Sequence, residues 1–273
     1  MGAAVPLVSE SPVSLARDRP YYRPVDQEVE VFRLAWEQHL ALLLKGPTGC
    51  GKSRFVEAMA RELELPLITV PCHDETTSAD LLGRWLVRGG DTVWQDGPVT
   101  RALRQGAILY LDEVAEARED VVVVLHPLTD HRRQLILDRH DEVLSAPPSF
   151  MLVASFNPGY QRGLKEMKPS TRQRFVTLAF DYPPAKIEAE IVSVEGGVDR
   201  KLAERLVAFA TRVRRMHEVG LAETVSTRLL IQAAKLSAAG LSPRRACSIA
   251  VVEALSDDRD VVAALNDVVA LAL

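Results

Sequence analysis

Residues 41–65 read ALLLKGPTGCGKSRFVEAMARELEL. An apolar run, a glycine-rich turn and an amphipathic helical pattern follow one another without a gap. This strand, loop and helix order puts a phosphate-binding loop at a helix N-terminus. The loop comprises Gly46, Pro47, Thr48, Gly49, Cys50, Gly51, Lys52 and Ser53. Its glycines let backbone N–H groups turn inward, and the helix terminus adds positive potential where an anion sits. Lys52 is expected to neutralise the β- and γ-phosphates of ATP, and Ser53 to offer its hydroxyl to Mg2+. Alone, such a segment is a plain glycine-rich turn; the strand before it and the helix after it favour phosphate binding.

Outward from this stretch, further short apolar runs occur at 67–70 (LITV), 108–112 (ILYLD), 150–155 (FMLVAS) and 175–180 (FVTLAF). Near-continuous hydrophobicity suits strands covered on both faces, so the expected fold class is α/β, a parallel sheet between helical layers. After Pro183-Pro184 the apolar spacing becomes helical and no further strand pattern stands out. The expected organisation is an N-terminal extension over 1–24, an α/β nucleotide-binding domain over 25–183 and a small helical lid domain over 184–273. Two segments read as β-hairpins projecting from the core: one near 84–98, around Gly89-Gly90, and one near 132–146, around Arg139-His140-Asp141. Trp85 and Trp94 of the first are either core residues or exposed contacts. The final segment, VVAALNDVVALAL, is apolar around most of its circumference and packs either on its own domain or on a neighbour.

The run at 108–112 ends in Asp112, followed by Glu113. Ligands of open α/β sheets collect at the C-terminal edge of the strands, which puts both carboxylates beside the phosphates. Asp112 is then the second magnesium-binding group, and Glu113 the base that orients and deprotonates the attacking water. An acidic pair by itself usually marks a solvated loop; the buried strand before it argues otherwise. Asn157 follows the next strand and is placed to position the water, although an Asn-Pro turn would also explain it.

Composition narrows the function classes. Hydrophobic residues make up 47% and charged residues 26%, so the chain is expected to fold. A net charge of -4 supplies no overall basic field for DNA or RNA, and the short Arg212, Arg214, Arg215 cluster reads as a solvated helix face. Cys50, Cys72 and Cys247 lack paired or zinc-type spacing and read as free thiols of the cytoplasm. His126, His131 and His140 form no metal pattern and read as ordinary surface or interface residues. The N-terminus has no signal-peptide pattern, and Pro6 stands where myristoylation at Gly2 wants Ser or Thr. The expectation is a soluble, unanchored protein with no membrane and no nucleic-acid partner.

The order GPTGCGKS, ILYLDEV, ASFNPGY, TRQRF and VSTRLL resembles the AAA+ ATPases of the MoxR group. GRWLVRGGDTVWQDGPVTRAL, HPLTDHRRQLIL and FNPGYQRGLKEMKPSTRQRF are similar to its CbbQ/NirQ/NorQ branch, most of all to the Rubisco activases called CbbQ. The resemblance covers nearly everything from about residue 24 to 273. It implies that Asn157 is sensor 1, Arg228 sensor 2 and Arg174 the arginine finger reaching into a neighbouring subunit, with Arg172 as alternative or partner in that role. It further implies a homo-oligomer, most often a hexameric ring, a von Willebrand A-domain adaptor of the CbbO type, and Rubisco as client, freed of inhibitory sugar phosphates with possible carboxysome association. NirQ/NorQ-like activation of nitric oxide reductase is the alternative. The hairpins match the helix-2 insert and the insert before the sensor 1 strand. Neither shows the aromatic-hydrophobic-Gly motif of threading unfoldases, which favours local remodelling. A nucleic-acid motor and a slow nucleotide switch are the more distant readings.

Overall fold

The computed structural model describes residues 20–158, 167–216 and 224–273. Most of the 1–24 extension, with Gly2 and Pro6, lies outside them, as do residues 159–166 beyond the Asn157-Pro158 turn. The first half of the chain runs α1 (Glu28–Glu37), β1 (Leu42–Lys45), α2 (Lys52–Glu62), β2 (Leu67–Pro71), α3 (Ser78–Leu82), β3 (Gly83–Arg88), β4 (Asp91–Asp96), α4 (Pro98–Gln105) and β5 (Ile108–Asp112). It continues through α5 (Glu119–Val123), β6 (Gln134–Leu137), β7 (Glu142–Ser145), β8 (Met151–Phe156), α6 (Pro169–Arg172) and β9 (Val176–Ala179).

Five of these strands form one sheet in the order β2-β5-β8-β1-β9, with every neighbouring pair parallel. Successive residues point to opposite faces, and both faces are covered. Leu42, Leu44, Ile108, Tyr110 and Val153 meet Phe32, Phe55 and Met59 of α1 and α2 on one side. Leu43, Leu109, Leu111, Leu152 and Ala154 meet Val99 and Leu103 of α4 on the other. Two-sided burial is why the inner strands β1, β5 and β8 read as unbroken apolar runs rather than alternating ones, while the edge strands β2 and β9 expose Thr69 and Thr177.

The strands β3 and β4 form one antiparallel hairpin, and β6 and β7 another. They touch. The His140 ring lies flat on the Trp94 ring at 4.7 Å and 6°, and Trp85 Nε1 donates to the Arg139 carbonyl at 2.8 Å. Arg104 of α4 binds Asp96 of one hairpin and Glu142 of the other. Of the surface and interface readings, His140 takes the second, lying between the two hairpins. Trp94 is partly buried against the core, whereas Trp85 keeps 47% of its surface exposed.

From Ala185 onward the described residues are helical: α7 (Ala185–Gly196), α8 (Arg200–Arg215), α9 (Thr227–Ala238), α10 (Pro243–Cys247), a π-helical turn over Ser248–Val252, α11 (Glu253–Leu255) and α12 (Arg259–Ala272). They share a separate core that includes Val192, Leu206, Phe209, Leu230, Ala234 and Val251. Asp199 and Ser226 cap α8 and α9 by accepting from the N–H groups of Leu202 and Leu229. The helix α12 buries Leu265 and Val269 in its own core and leaves Leu271 78% exposed.

Candidate nucleotide site

The loop between β1 and α2 lies at the C-terminal edge of the sheet and opens into a cleft of about 810 Å³. Its geometry demands glycine at residue 49, where φ is +70° and an added Cβ would stand 2.6 Å from Ser226 Cβ. The helical unit thus rests directly on the loop. Lys52 is buried, and its Nζ donates to the carbonyls of Gly46 and Pro47 at 2.7 and 3.0 Å, which aims its charge into the loop.

Opposite the loop, Asp112 ends β5. Its Oδ1 accepts from Tyr110 Oη at 2.7 Å and Ser155 Oγ at 2.6 Å, while Ser53 Oγ stands 3.4 Å from Oδ2. Ser53 Oγ is also 3.2 Å from Tyr110 Oη. The donor set is all oxygen, a carboxylate with hydroxyls, and suits a hard cation that keeps part of its water shell, as Mg2+ does. Among the described residues no group of three or more His, Cys, Asp or Glu is arranged to hold a metal ion without help. The substrate's phosphates would have to complete the shell.

Glu113 turns sharply away from β5 with φ +55°, and its N–H donates to Ser155 Oγ at 3.0 Å. Burial foremost raises its carboxyl above the usual carboxylate range; the charge of Lys52 opposes this, and those of Asp112 and Glu116 add to it. Asn157, just past β8, donates through Nδ2 to Thr48 Oγ1 at 2.7 Å, so its amide meets the loop. Burial pushes the Cys50 thiol up as well.

Arg228, in the first turn of α9, lines the cleft with its Cβ side over Gly49. Arg174 is not among the cleft residues. It stands on the surface after α6, with Nη1 3.7 Å from Asp130 Oδ2, and Arg172 is exposed beside it. The fold therefore gathers Gly46 through Ser53, Asp112, Glu113, Asn157 and Arg228, and leaves both finger candidates outside the chain's own cleft.

Residues 41–175 match the AAA domain of the dynein-related subfamily, and residues 188–272 match the CbbQ/NirQ/NorQ C-terminal domain. The denitrification regulatory protein NirQ of Pseudomonas aeruginosa is 58% identical over 252 residues, covering 92% of this chain and 97% of NirQ. The chain belongs to the CbbQ/NirQ/NorQ family. Protein NorQ of Paracoccus denitrificans is 55% identical, covering 93% of this chain and 94% of NorQ. Protein CbbQ of Hydrogenophilus thermoluteolus is 52% identical, covering 92% and 94%. Among solved structures, the Holliday junction branch migration motor RuvB of Thermotoga maritima superposes with a TM-score of 0.51 at 18% identity, over 89% of this chain and 68% of RuvB, a likeness of fold alone. As a CbbQ/NirQ/NorQ member this chain is a P-loop AAA+ ATPase, and among its described residues no helix is long and apolar enough to cross a membrane.

Several residues of the site are invisible to motif reading. Tyr110 and Ser155 hold Asp112 from within strands, and the one clue was a serine inside the buried run FMLVAS, where it is wholly inaccessible. Tyr182 donates to the Thr48 carbonyl at 3.2 Å. Arg214, expected on a solvated face, instead keeps only 15% of its side chain exposed and binds the fully buried Glu188. Arg212 and Arg215 are exposed, whereas Arg214 lies on the face of α8 toward Glu188 of α7.

Proposed function

We propose that this chain is a magnesium-dependent ATPase that couples hydrolysis to the remodelling of a client enzyme. The observation that carries this reading is the convergence of Lys52, Ser53, Asp112, Glu113 and Asn157 on one end of the sheet, with Arg228 reaching over from the helices. Lys52 neutralises phosphate charge. Ser53 and Asp112 hold Mg2+, which when bound offsets the charge of the phosphates. Glu113 takes the proton of the attacking water and Asn157 orients that water. Arg228 stabilises transferring charge from the same chain, and Arg174, with Arg172 beside it, does so from a neighbouring subunit of a ring.

For the client, the higher identity to NirQ and NorQ, 58% and 55% against 52% to CbbQ, supports a denitrification role, with nitric oxide reductase as the enzyme activated. Rubisco, relieved of inhibitory sugar phosphates, stays as the second reading because CbbQ aligns over nearly the same length. A von Willebrand A-domain protein of the CbbO type would serve as adaptor in either case, in the cytoplasm. The hairpins, exposing Trp85 and Val87, offer contacts for local remodelling. The test supplies the protein, ATP and matched adaptor to inactive nitric oxide reductase and, separately, to inhibited Rubisco. Recovery of nitric oxide reductase alone is expected; recovery of Rubisco alone overturns the choice of client.

A further inference from the structure

The segment leaving β9 passes the phosphate-binding loop before the helical unit begins. Within it, Tyr182 Oη donates to the backbone carbonyl of Thr48 at 3.2 Å, and the Thr48 hydroxyl accepts from Asn157 Nδ2 at 2.7 Å. The guanidinium of Arg214, from α8, lies 3.9 Å over the centre of the Tyr182 ring. That guanidinium forks onto both oxygens of Glu188 on α7 at 2.7 and 2.8 Å, and its Nε donates to the Val225 carbonyl at 2.8 Å. Glu188 Oε1 accepts in turn from Thr227 Oγ1 at 2.7 Å. Val225 and Thr227 bracket the cap of α9, and Arg228 comes next. One contiguous set of bonds therefore runs from the loop carbonyl to the residue before Arg228.

We infer that Tyr182 and Arg214 are positioning residues that tie the start of α9, and with it Arg228, to the phosphate-binding loop, so that nucleotide in the loop sets the placement of the helical unit. The inference rests on the ATP-binding reading above. A buried ion pair adds little net stability over an apolar pair of the same shape, so stability alone is a weak account of Glu188 and Arg214. What this pair adds is direction. The planar fork fixes Val225 and Thr227, and the same guanidinium face fixes the ring whose hydroxyl holds the loop. A lysine would keep the charge and lose both the fork and the planar stack.

Amide hydrogen exchange on the full chain, with and without a non-hydrolysable ATP analogue and Mg2+, tests this. In the wild type the analogue is expected to slow exchange over both 46–53 and 225–232. In Tyr182→Phe, and again in Arg214→Lys, slowing over 46–53 stays within about twofold of wild type, whereas slowing over 225–232 falls about fivefold or more, the scale of one net hydrogen bond. Tyr182→Phe removes a single oxygen and keeps the ring, so its exchange over 225–232 without nucleotide should match the wild type. A merely structural role would instead raise that ligand-free exchange. Turnover should show a lower kcat with KM little changed. Wild-type slowing over 225–232 in both variants overturns the inference. Slowing confined to 46–53 in the wild type itself defeats the inference and leaves the ATP reading standing, whereas no slowing anywhere in the wild type defeats both.

Discussion

Glu113 holds a left-handed backbone conformation that non-glycine residues seldom adopt, at a cost on the order of 1–3 kcal/mol. Ser155 helps hold it there by accepting from the Glu113 N–H while donating to Asp112. Ser155→Ala therefore takes the acceptor from the partly buried Glu113 N–H and leaves Asp112 Oδ1 with Tyr110 as its remaining donor, and should cost about 1–3 kcal/mol in stability. Turnover should fall with it, by about tenfold for each 1.4 kcal/mol lost in the transition state. Thermal unfolding and steady-state ATPase assays check both, and unchanged values for each would remove Ser155 from the site. The gathering of residues at one place was legible in the sequence where it follows chain order: Lys52 and Ser53 through the loop, Asp112 and Glu113 through the strand that leads to them. Tyr182 and Arg214 were not, because their meaning depends on helices brought together from distant parts of the chain.

At the scale of elements, β1, β5 and β8 were legible as strands because coverage on both faces leaves no polar alternation, whereas the edge strands β2 and β9, with Thr69 and Thr177 exposed, were legible as short apolar runs of strand length. The strand order was not, since nothing local tells β1 to pair with both β8 and β9. The hairpins were readable as turns between short alternating segments. Their union through His140 on Trp94 was not, as it arises from two inserts meeting in space. Gly83 sets the first hairpin's approach: φ is +137°, and an added Cβ would stand 2.6 Å from both the Gln95 carbonyl and the Trp94 ring. Gly83→Ala is expected to destabilise this region by upwards of about 1 kcal/mol, since the backbone conformation and the space both exclude a methyl group. Hydrogen exchange should accelerate over 83–96 and, through the Trp94 stack, over 134–145, while β1 and β8 keep their protection. Acceleration confined to 83–96 would show that the hairpins move separately.

For the whole molecule, the decisive arrangement is that Arg228 reaches the chain's own cleft and Arg174 does not. An exposed arginine outside the chain's own cleft fits the proposed ring, in which it would complete the site of a neighbouring subunit. Arg174→Ala and Lys52→Ala chains, each inactive alone, should recover part of the ATPase activity when mixed, because some interfaces then pair an intact loop with an intact finger. No recovery from subunits shown to co-assemble would contradict that arrangement. Hydrolysis at this site with Glu113 as base is tested by nucleotide affinity measured beside ATP turnover in purified Glu113→Gln. Affinity should stay close to wild type with turnover reduced at least about a hundredfold, as for loss of a general base, whereas Lys52→Ala should lose affinity itself. Turnover by Glu113→Gln equal to that of the wild type would show that Glu113 is not the base.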